Sequence, residues 1–377
     1  MLRLLIYLLS GLIGLAMVAL GWAWQGVRVP AAVEPAKVQC DISTHRVLQK
    51  TATSSPRKLK VLSFNVQYMA GKSYVFFYDV DGGPDTQPQQ ADIDNTTQRV
   101  ADIIRDENPD IVLIQEINDA NDSRTHFRDQ LTELQAQLHD QAGERIYPCH
   151  ADAHYWQADF IPHPKIWGPV SMKLSTLSKY PIHQALRHQL PLAQNDPISE
   201  RFYFYRAMLE TMIELPNGER IVALNTHFDA WGEGTGVMQK QVKLVHSRLK
   251  QLDASGTPWV LGGDLNLLPP DGQKQWEKIT ESNTGGYDQY TAIKLLYDNF
   301  QAVPSLLNLA DTKASRWYTH YPNNPTVTGP DRTIDYLFYS HQWHATQTAV
   351  RQHDTLDVSD HLPVSATLVL SETPQKN

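Results

Sequence analysis

Eight residues of this chain carry side chains that could act together on one substrate: Asn65, Glu116, His227, Asp264, Asn266, Asp335, Asp360 and His361. They lie far apart in sequence, yet most sit at the end of a short apolar run that reads as a β-strand. Acids, amides and imidazoles delivered by the same ends of several strands would converge on one pocket. Carboxylates suit a hard divalent cation, which takes oxygen ligands. Imidazole and amide N–H groups suit the oxygens of a phosphate ester. The chemistry open to this set is metal-assisted attack on a phosphoester.

Each local motif has a plainer reading when taken alone. In Gly262-Gly263-Asp264-Leu265-Asn266 the glycines allow a tight turn as a strand ends. Asp264 and Asn266 are two apart, so on extended backbone both point the same way. A carboxylate beside an amide can orient a water and hold a phosphoryl oxygen. By itself the segment also reads as an Asx-rich turn. Ser359-Asp360-His361 sets a carboxylate next to an imidazole, or a capping Asp next to a surface His. His227 follows the apolar run 221–225, where a lone His is more often structural. Asp335 lies between Ile334 and Tyr336 in an apolar strand, so its charge needs a partner. His361 is the natural one. Glu116 ends the run that begins at Ile111, as a metal ligand or as a solvated strand end.

The positioning elements can be read in outline. Lys60-Val61-Leu62-Ser63-Phe64 predicts a strand ending at Asn65. An insertion from 67 to 95 follows, with the aromatic run Tyr74-Val75-Phe76-Phe77-Tyr78. That run reads as a buried edge strand, a membrane-dipping tip or a substrate platform. Asp79-Val80-Asp81-Gly82 is slightly like a calcium loop, but Gly82 comes too early and Gln90 stands where a Glu would close it. It reads as a polar loop. Asn95 is expected to cap a helix whose Val100, Ile103 and Ile104 share a face, ended by Pro109. Phe127, Leu131, Leu134 and Leu138 make the stripe of a second helix. The stretch 150–167 reads as irregular, and 174–177 as a short strand. Pro216-Asn217-Gly218 signals a hairpin between strands at 207–215 and 220–225. Val242, Val245, Leu249 and Leu252 form another helix face, and strands follow at 259–261, 334–339 and 364–370. Strands followed by helices, with hairpins mixed in, indicate an α/β protein with mixed sheets.

Bulk properties narrow the class. The 377 residues are 41% hydrophobic and 20% charged, as in a folded globular protein rather than a disordered one. The run from Leu4 to Trp24 has no charge and is about 21 residues long, enough to cross a bilayer. Arg3 precedes it, and Trp22 and Trp24 stand at its far end, where aromatic residues favour the interface. It is too long for the apolar core of a cleaved signal peptide, and Ala31-Ala32 lies well beyond it. An uncleaved signal anchor is expected, with the body outside the cytoplasm. Without Arg3 and Arg28, 31 basic residues stand against 41 acidic ones, so the body carries −10. Such a body is poorly suited to non-specific capture of duplex nucleic acid. Cys40 and Cys149 form one disulfide or remain two buried thiols. The expected layout is an anchor over 1–28, a linker over 29–57, one domain over 58–371 and a tail over 372–377.

The order of these segments resembles the endonuclease/exonuclease/phosphatase superfamily over roughly 58–370. The matching segments are Phe64-Asn65, Gln115-Glu116, Leu177-Ser178-Lys179-Tyr180-Pro181-Ile182, Thr226-His227, Gly263-Asp264-Leu265-Asn266, Ile334-Asp335-Tyr336 and Ser359-Asp360-His361. The resemblance implies a four-layered α/β sandwich, two packed mixed sheets with helices outside and catalysis at one edge. It implies that Glu116 is the main metal ligand, helped by Asn65, with Asp360 supporting the metal side. Asp264 would orient or deprotonate the attacking water. Asn266 and His227 would hold phosphate oxygens. His361, oriented by Asp335, would stabilise the transition state. Arg206, in Tyr205-Arg206-Ala207, resembles a recurrent strand-borne Arg and is expected to support substrate binding.

One departure stands out: some nuclease members carry an acid two residues after the Asn, and here Gln67 holds that place. A second metal position is thereby put in question. The expected enzyme is a magnesium-dependent phosphodiesterase, with manganese as the alternative metal, anchored in a membrane through Leu4 to Trp24. The anchor, the acidic body and the aromatic insertion direct the expectation to a phospholipid or sphingolipid head group, in the manner of sphingomyelinases. An exported nuclease acting on DNA or RNA is the alternative. A phosphomonoesterase for inositol or sugar phosphates would need a cluster of Lys and Arg that the sequence does not display. A non-catalytic tethered binding protein would be expected to lack at least one of the eight residues. No obligate protein partner is implied.

Overall fold

The computed structural model describes residues 2–41, 58–193, 196–230, 232, 234–270, 272, 275–277, 279, 286–288 and 290–371. The tail expected over 372–377 and the later part of the expected linker, 42–57, lie outside the described residues. The apolar runs assemble into two seven-stranded mixed sheets, with strands numbered here in chain order. One sheet runs, in spatial order, β1 (Val33–Pro35), β7 (Ile182–Gln189), β8 (Ala207–Glu214), β9 (Arg220–His227), β10 (Trp259–Asp264), β12 (Asp335–Tyr339) and β11 (Gln301–Val303). The other runs β13 (Trp343–Val350), β14 (Val364–Leu370), β3 (Lys58–Asn65), β4 (Ile111–Asn118), β6 (Gly168–Ser178), β5 (Cys149–Ile161) and β2 (Lys37–Cys40).

Alternation along the strands fills three cores and produces four layers. Leu59, Val61, Ile111 and Leu113 of one sheet meet Leu209, Ala223, Val260 and Leu337 of the other between the sheets. On one outer face, Leu62, Phe64, Val112 and Ile114 pack against Val100, Ile103 and Ile104 of a helix over Gln90–Glu107. On the opposite outer face, Val222, Leu224 and Leu261 pack against Val242, Val245 and Leu249 of a helix over Val237–Ala254. Between the sheets a buried amide pair interrupts the apolar core. Gln115 donates to the Asn225 side-chain oxygen at 2.7 Å, and Asn225 donates to the carbonyls of Ile114 and Ser175 at 2.9 and 3.0 Å. This pair ties the centre of β4 to β9 across the sandwich.

Several local expectations are corrected. The helix expected to be capped by Asn95 begins at Gln90. Its Gln89 N–H is taken by the Tyr74 hydroxyl at 2.7 Å, and Tyr74 in turn donates to Asp92 in the first turn. An insertion residue thus holds the first turn, while the N-cap residue Gln89 makes no side-chain capping bond. The second helix is shorter than its stripe, Gln130–Gln135, and Phe127 precedes it at φ 60° and 56% exposed. Most of the stretch read as irregular is strand β5. Its Ala151, Ala153 and Tyr155 alternate into the inter-sheet core, a pattern masked by polar and aromatic neighbours. Phe76 stacks between Tyr74 and Tyr78 at 5.5 and 5.4 Å and is fully buried, so the aromatic run is a packed loop rather than an edge strand or an exposed tip.

The N-terminal segment differs most from expectation. Leu2–Gln25 is one helix, α1, about 36 Å long at 1.5 Å per residue. It is long and apolar enough to cross a membrane. Beyond it, β1 and β2 extend an edge of each sheet, so 33–40 belongs to the sandwich and not to a linker. Extended backbone there gains ladder hydrogen bonds that a tether would leave to water. Cys40 and Cys149 pair opposite each other in the β2–β5 ladder and are disulfide-bonded.

Two stability outcomes follow. Reducing this disulfide, which closes a 109-residue separation, should cost about 2–4 kcal/mol of unfolding free energy, read from denaturant titrations with and without reductant. Asn225→Ala should cost about 1–3 kcal/mol for the buried groups it leaves unpaired. An unchanged midpoint would show that the amide pair does not join the sheets energetically.

Candidate active site

Strand register gathers the chemical residues at one edge of the sandwich. Asp264, the last residue of β10, lies opposite His227 in parallel β9 and opposite Asp335 in antiparallel β12. Asn65 ends β3 beside Gln115 of β4, and Val364, the first residue of β14, pairs with Ser63. Asp360 and His361 therefore arrive at the same end as Asn65. Parallel strands contribute their C-terminal ends and antiparallel strands their N-terminal ends.

Two strained turns aim the side chains. Glu116 sits at an irregularity of the β4–β6 pairing with φ 55°, so it leaves the strand alternation and turns into the edge. Asp264 and Asn266 converge by a turn rather than by extended alternation: the Asn266 N–H donates to Asp264 Oδ1 at 3.0 Å, and Asn266 has φ 47°. The Asx turn and the chemical pair are one feature. Gly263 is required for close approach, since a Cβ there would fall 1.9 Å from the Thr226 carbonyl oxygen.

Hydrogen bonds knit the cluster. The Asn65 amide nitrogen donates to Glu116 Oε1 at 3.0 Å and to Asp264 Oδ2 at 3.1 Å, while its oxygen accepts the Gln67 N–H at 3.1 Å. Asn65 thus spans the two carboxylates. His227 Nε2 lies 3.2 Å from Asp264 Oδ2 and 3.3 Å from the Asn266 amide, and its Nδ1 meets the Tyr155 hydroxyl at 3.3 Å. His361 Nδ1 contacts Asp335 at 2.9 and 3.0 Å, which leaves Nε2 facing Asp264 at 3.6 Å. Arg206 precedes β8, 3% exposed, with Asp229 4.0 Å from its Nε. Among the described residues its Nε and Nη1 have no hydrogen-bond partner, and the side chain lines the cavity.

Burial and mutual repulsion set the charges. Desolvation, aided by Asp335 and Glu116 against the pull of His361, lifts the Asp264 carboxyl to about 7. Burial and the charge of Asp360 raise Glu116, and burial likewise raises Asp360. Burial works against the His361 cation, but Asp335, Asp264 and Asp360 outweigh it and hold the imidazolium well above its ordinary value. Burial, Arg206 and His361 push His227 the other way, so it is neutral. The two histidines therefore differ in charge, one a cation and one a neutral hydrogen-bonding ring.

Ligand atoms of Glu116, His227 and Asp264 lie within 4.8 Å of one another, as do those of His320, Asp360 and His361. Buried carboxylates with raised pKa values are short of positive charge, which a divalent cation supplies. The carboxylates Glu116, Asp264 and Asp360 among these donors fit a hard cation. Beside it opens a cavity of about 370 Å³, walled by Tyr68, Phe77, Tyr78, Trp156, Tyr203 and Phe204.

The sequence pointed less clearly to other residues at this edge, of which Asp79, Arg124 and His320 line the cavity and Lys72 stands behind Asn323. Lys72, the one basic residue between 67 and 95, donates to the Pro322 carbonyl and to Asn323 at 2.9 Å. Asp79 accepts from the Phe76 N–H and from Asn323, and burial beside Asp360 raises it to about 7. Arg124 pairs with Asp122 beneath Tyr68 and Trp156. His320 packs edge-on to His361 at 4.6 Å. A single Lys in an acidic insertion was a usable signal; Arg124 and His320 carried none, because only the packing brings them here.

Comparison with known proteins agrees with this architecture. The model of the Endonuclease/Exonuclease/phosphatase family matches residues 62–361. No curated protein matches the sequence. Among solved structures, an endonuclease/exonuclease/phosphatase from Beutenbergia cavernae is 21% identical, with 84% of this chain and 72% of that one covered and a TM-score of 0.52. The human Nocturnin catalytic domain with bound sulfate is 14% identical, covering 85% of this chain and 100% of that one, at a TM-score of 0.49. D. rerio TDP2 complexed with a single-strand DNA product is 14% identical, covering 82% and 98%, at 0.49.

The Asp335–His361 pair makes a pH prediction. Because the folded pKa of His361 lies above its ordinary value of 6.5, the stability it contributes is fully present below that pH. It is lost as pH rises through the folded value. Asp335→Asn should lower the His361 pKa by roughly one unit or more, read by NMR titration of labelled histidines. An unmoved titration would show that Asp335 does not hold the charge.

Proposed function

The chain belongs to the endonuclease/exonuclease/phosphatase family and is a phosphoester hydrolase, and on that premise we propose a magnesium-dependent phosphodiesterase for lipid head groups, acting outside the cytoplasm. The observation that carries the catalytic part is the buried cluster itself: Asp264 poised near neutrality between a cationic His361 and a neutral His227.

Glu116 and Asp360 would hold the cation, which when bound supplies Lewis-acid stabilisation of a phosphoryl oxygen. Asp264 accepts a proton from the attacking water, and its pKa suits that task near pH 7. Asn266 and neutral His227 donate to non-bridging oxygens. His361, locked through Nδ1 by Asp335, offers Nε2–H to the charge that grows on the phosphoryl group. The unpaired donors of Arg206 supply a further contact to the same anion. Asn65 holds Glu116 and Asp264 apart at fixed spacing. The phosphorus–ester oxygen bond breaks as the water oxygen–phosphorus bond forms, and the departing oxygen takes a proton from solvent to leave as the alcohol.

The apolar and aromatic cavity wall and the apolar helix α1 favour a lipid-borne diester over a soluble polyanion. The same aromatic wall could stack nucleobases, which keeps a nuclease as the second reading.

Full-length protein in vesicles containing sphingomyelin and phosphatidylcholine, assayed with magnesium beside a plasmid, separates the two. Vesicle cleavage supports the lipid reading, and plasmid cleavage alone makes the protein a nuclease. Asp264→Ala and His361→Ala should each lower turnover by roughly 10²–10⁴, with little change in unfolding midpoint for Asp264→Ala and, for His361→Ala, a fall in stability far smaller than the loss of turnover. Matching losses of folding and activity would make both residues structural.

A further inference from the structure

The foot of α1 packs against the chain segments that adjoin the walls of the catalytic cavity. Ala23 is buried in the inter-sheet core at 1% exposure. Trp22 packs on Phe160 at 5.9 Å, and Trp24 packs edge-on against Phe202 at 6.1 Å. Arg201 donates to the Trp24 carbonyl at 2.6 and 3.0 Å and to the Val27 carbonyl at 3.2 Å, satisfying carbonyls at the end of the helix. The chain leaving the helix then adds to the edge of β5. Arg28 N–H donates to Gln157, Asp159 N–H donates to Gly26, and Val27 bridges to Ala158. A Cβ on Gly26 would come 2.9 Å from the Asp159 side chain, so this approach is close.

The segments that grip the helix are those that wall the cavity. Phe202 touches the helix, and the next two residues, Tyr203 and Phe204, line the cavity. Phe160 touches the helix, and His163, three residues on, lines the cavity and stacks on Phe77 of the insertion at 5.2 Å. Three residues of chain reach at most about 11 Å. The headgroup layer on each side of a bilayer is roughly 5–8 Å deep. With Leu4 to Trp24 across the hydrocarbon, the parts of these walls nearest the helix lie at headgroup level. The outer surfaces of the same segments are apolar: Trp167, which packs on Phe160, is 68% exposed, and Ile198 is 54% exposed. Trp167 holds φ 44°, a conformation uncommon for a bulky residue, at the tip of the β5–β6 hairpin. Exposed Trp beside a membrane helix suits the interface, where its amphipathic ring is favoured.

We infer that the cavity mouth lies at the headgroup level of the membrane that α1 crosses, with Trp167 and Ile198 seated in the interface. Substrate therefore enters from the lipid surface. The inference rests on the membrane-anchored, lipid-directed reading above, and its partner is that bilayer.

The test uses the full chain in phosphatidylcholine–phosphatidylglycerol vesicles, with Trp167→Cys, Ile198→Cys or Asn217→Cys carrying an environment-sensitive thiol label. The two native cysteines are bonded to each other, so the label has one target. Asn217 is exposed in the β8–β9 turn, at the opposite end of β9 from His227, and serves as the distant control. Each variant is first shown to unfold at the parent's midpoint. Labels at 167 and 198 should shift to the blue, lose most of their emission to lipids brominated near the head group and resist aqueous iodide. The label at 217 should do none of these. Labels at 167 and 198 open to iodide on protein that floats with the vesicles would overturn the inference and leave the anchor standing. Protein that does not float would overturn the inference and the anchor together. Hydrolysis of soluble bis-p-nitrophenyl phosphate, measured on the parent, reports the catalytic reading separately from either.

Discussion

The buried contact between Gln115 and Asn225 is the constraint on which the site depends. Each residue sits within two positions of a site residue, Glu116 on β4 and His227 on β9, and each belongs to a different sheet. Apolar packing alone is non-directional and would allow the sheets to slide by a fraction of a residue. A buried amide pair with further bonds to Leu113, Ile114 and Ser175 favours this alignment, because a slide of the sheets would break those bonds inside the core. Asn65, contributed by β3, then reaches Glu116 in its own sheet and Asp264 in the other.

Within that frame the chemistry follows from charge balance in a small buried volume. Glu116, Asp264, Asp335 and Asp360 crowd one edge, and His361 is the cation bonded among them. Its charge is held by three carboxylates, while the same burial strips His227 of its proton. One residue type thus performs two tasks because the surroundings differ. The excess of carboxylate accounts for the fit of the site to a divalent cation. Positive φ values at Glu116 and Asn266 belong to the same economy of space: the backbone departs from regular strand where a side chain must turn inward.

The insertion after Asn65 and the segments around α1 build what lies beyond the reacting atoms. Tyr74 bonds the start of the helix over Gln90–Glu107, Phe76 anchors the loop, and Phe77, Tyr78 and Asp79 face the cavity. On the other side the β5–β6 hairpin and the segment before β8 form the wall. Since β1 and β2 join an edge of each sheet and a disulfide fastens β2 to β5, the N-terminal segment is part of the sandwich. The helix and the catalytic edge are thereby related by packed structure through residues 26–41.

The sequence by itself determined the α/β class, the apolar N-terminal helix and the residues that meet at the edge. Strand runs, the hairpin turn at Asn217-Gly218 and the polar groups at strand ends are local signals, set by periodicity and by the cost of an unpaired charge in an apolar run. Asp335 and His361 could be paired from that cost alone. Local signals could not tell that 33–40 is strand, because edge strands draw their hydrogen bonds from partners more than a hundred residues away. They could not find Arg124 or His320, whose positions depend on how loops close over the edge. Nor could they say that Asp264 and Asn266 converge through a left-handed turn, or which imidazole is charged. Those outcomes belong to tertiary structure, since desolvation and proximity between distant residues exist only once the two sheets are packed.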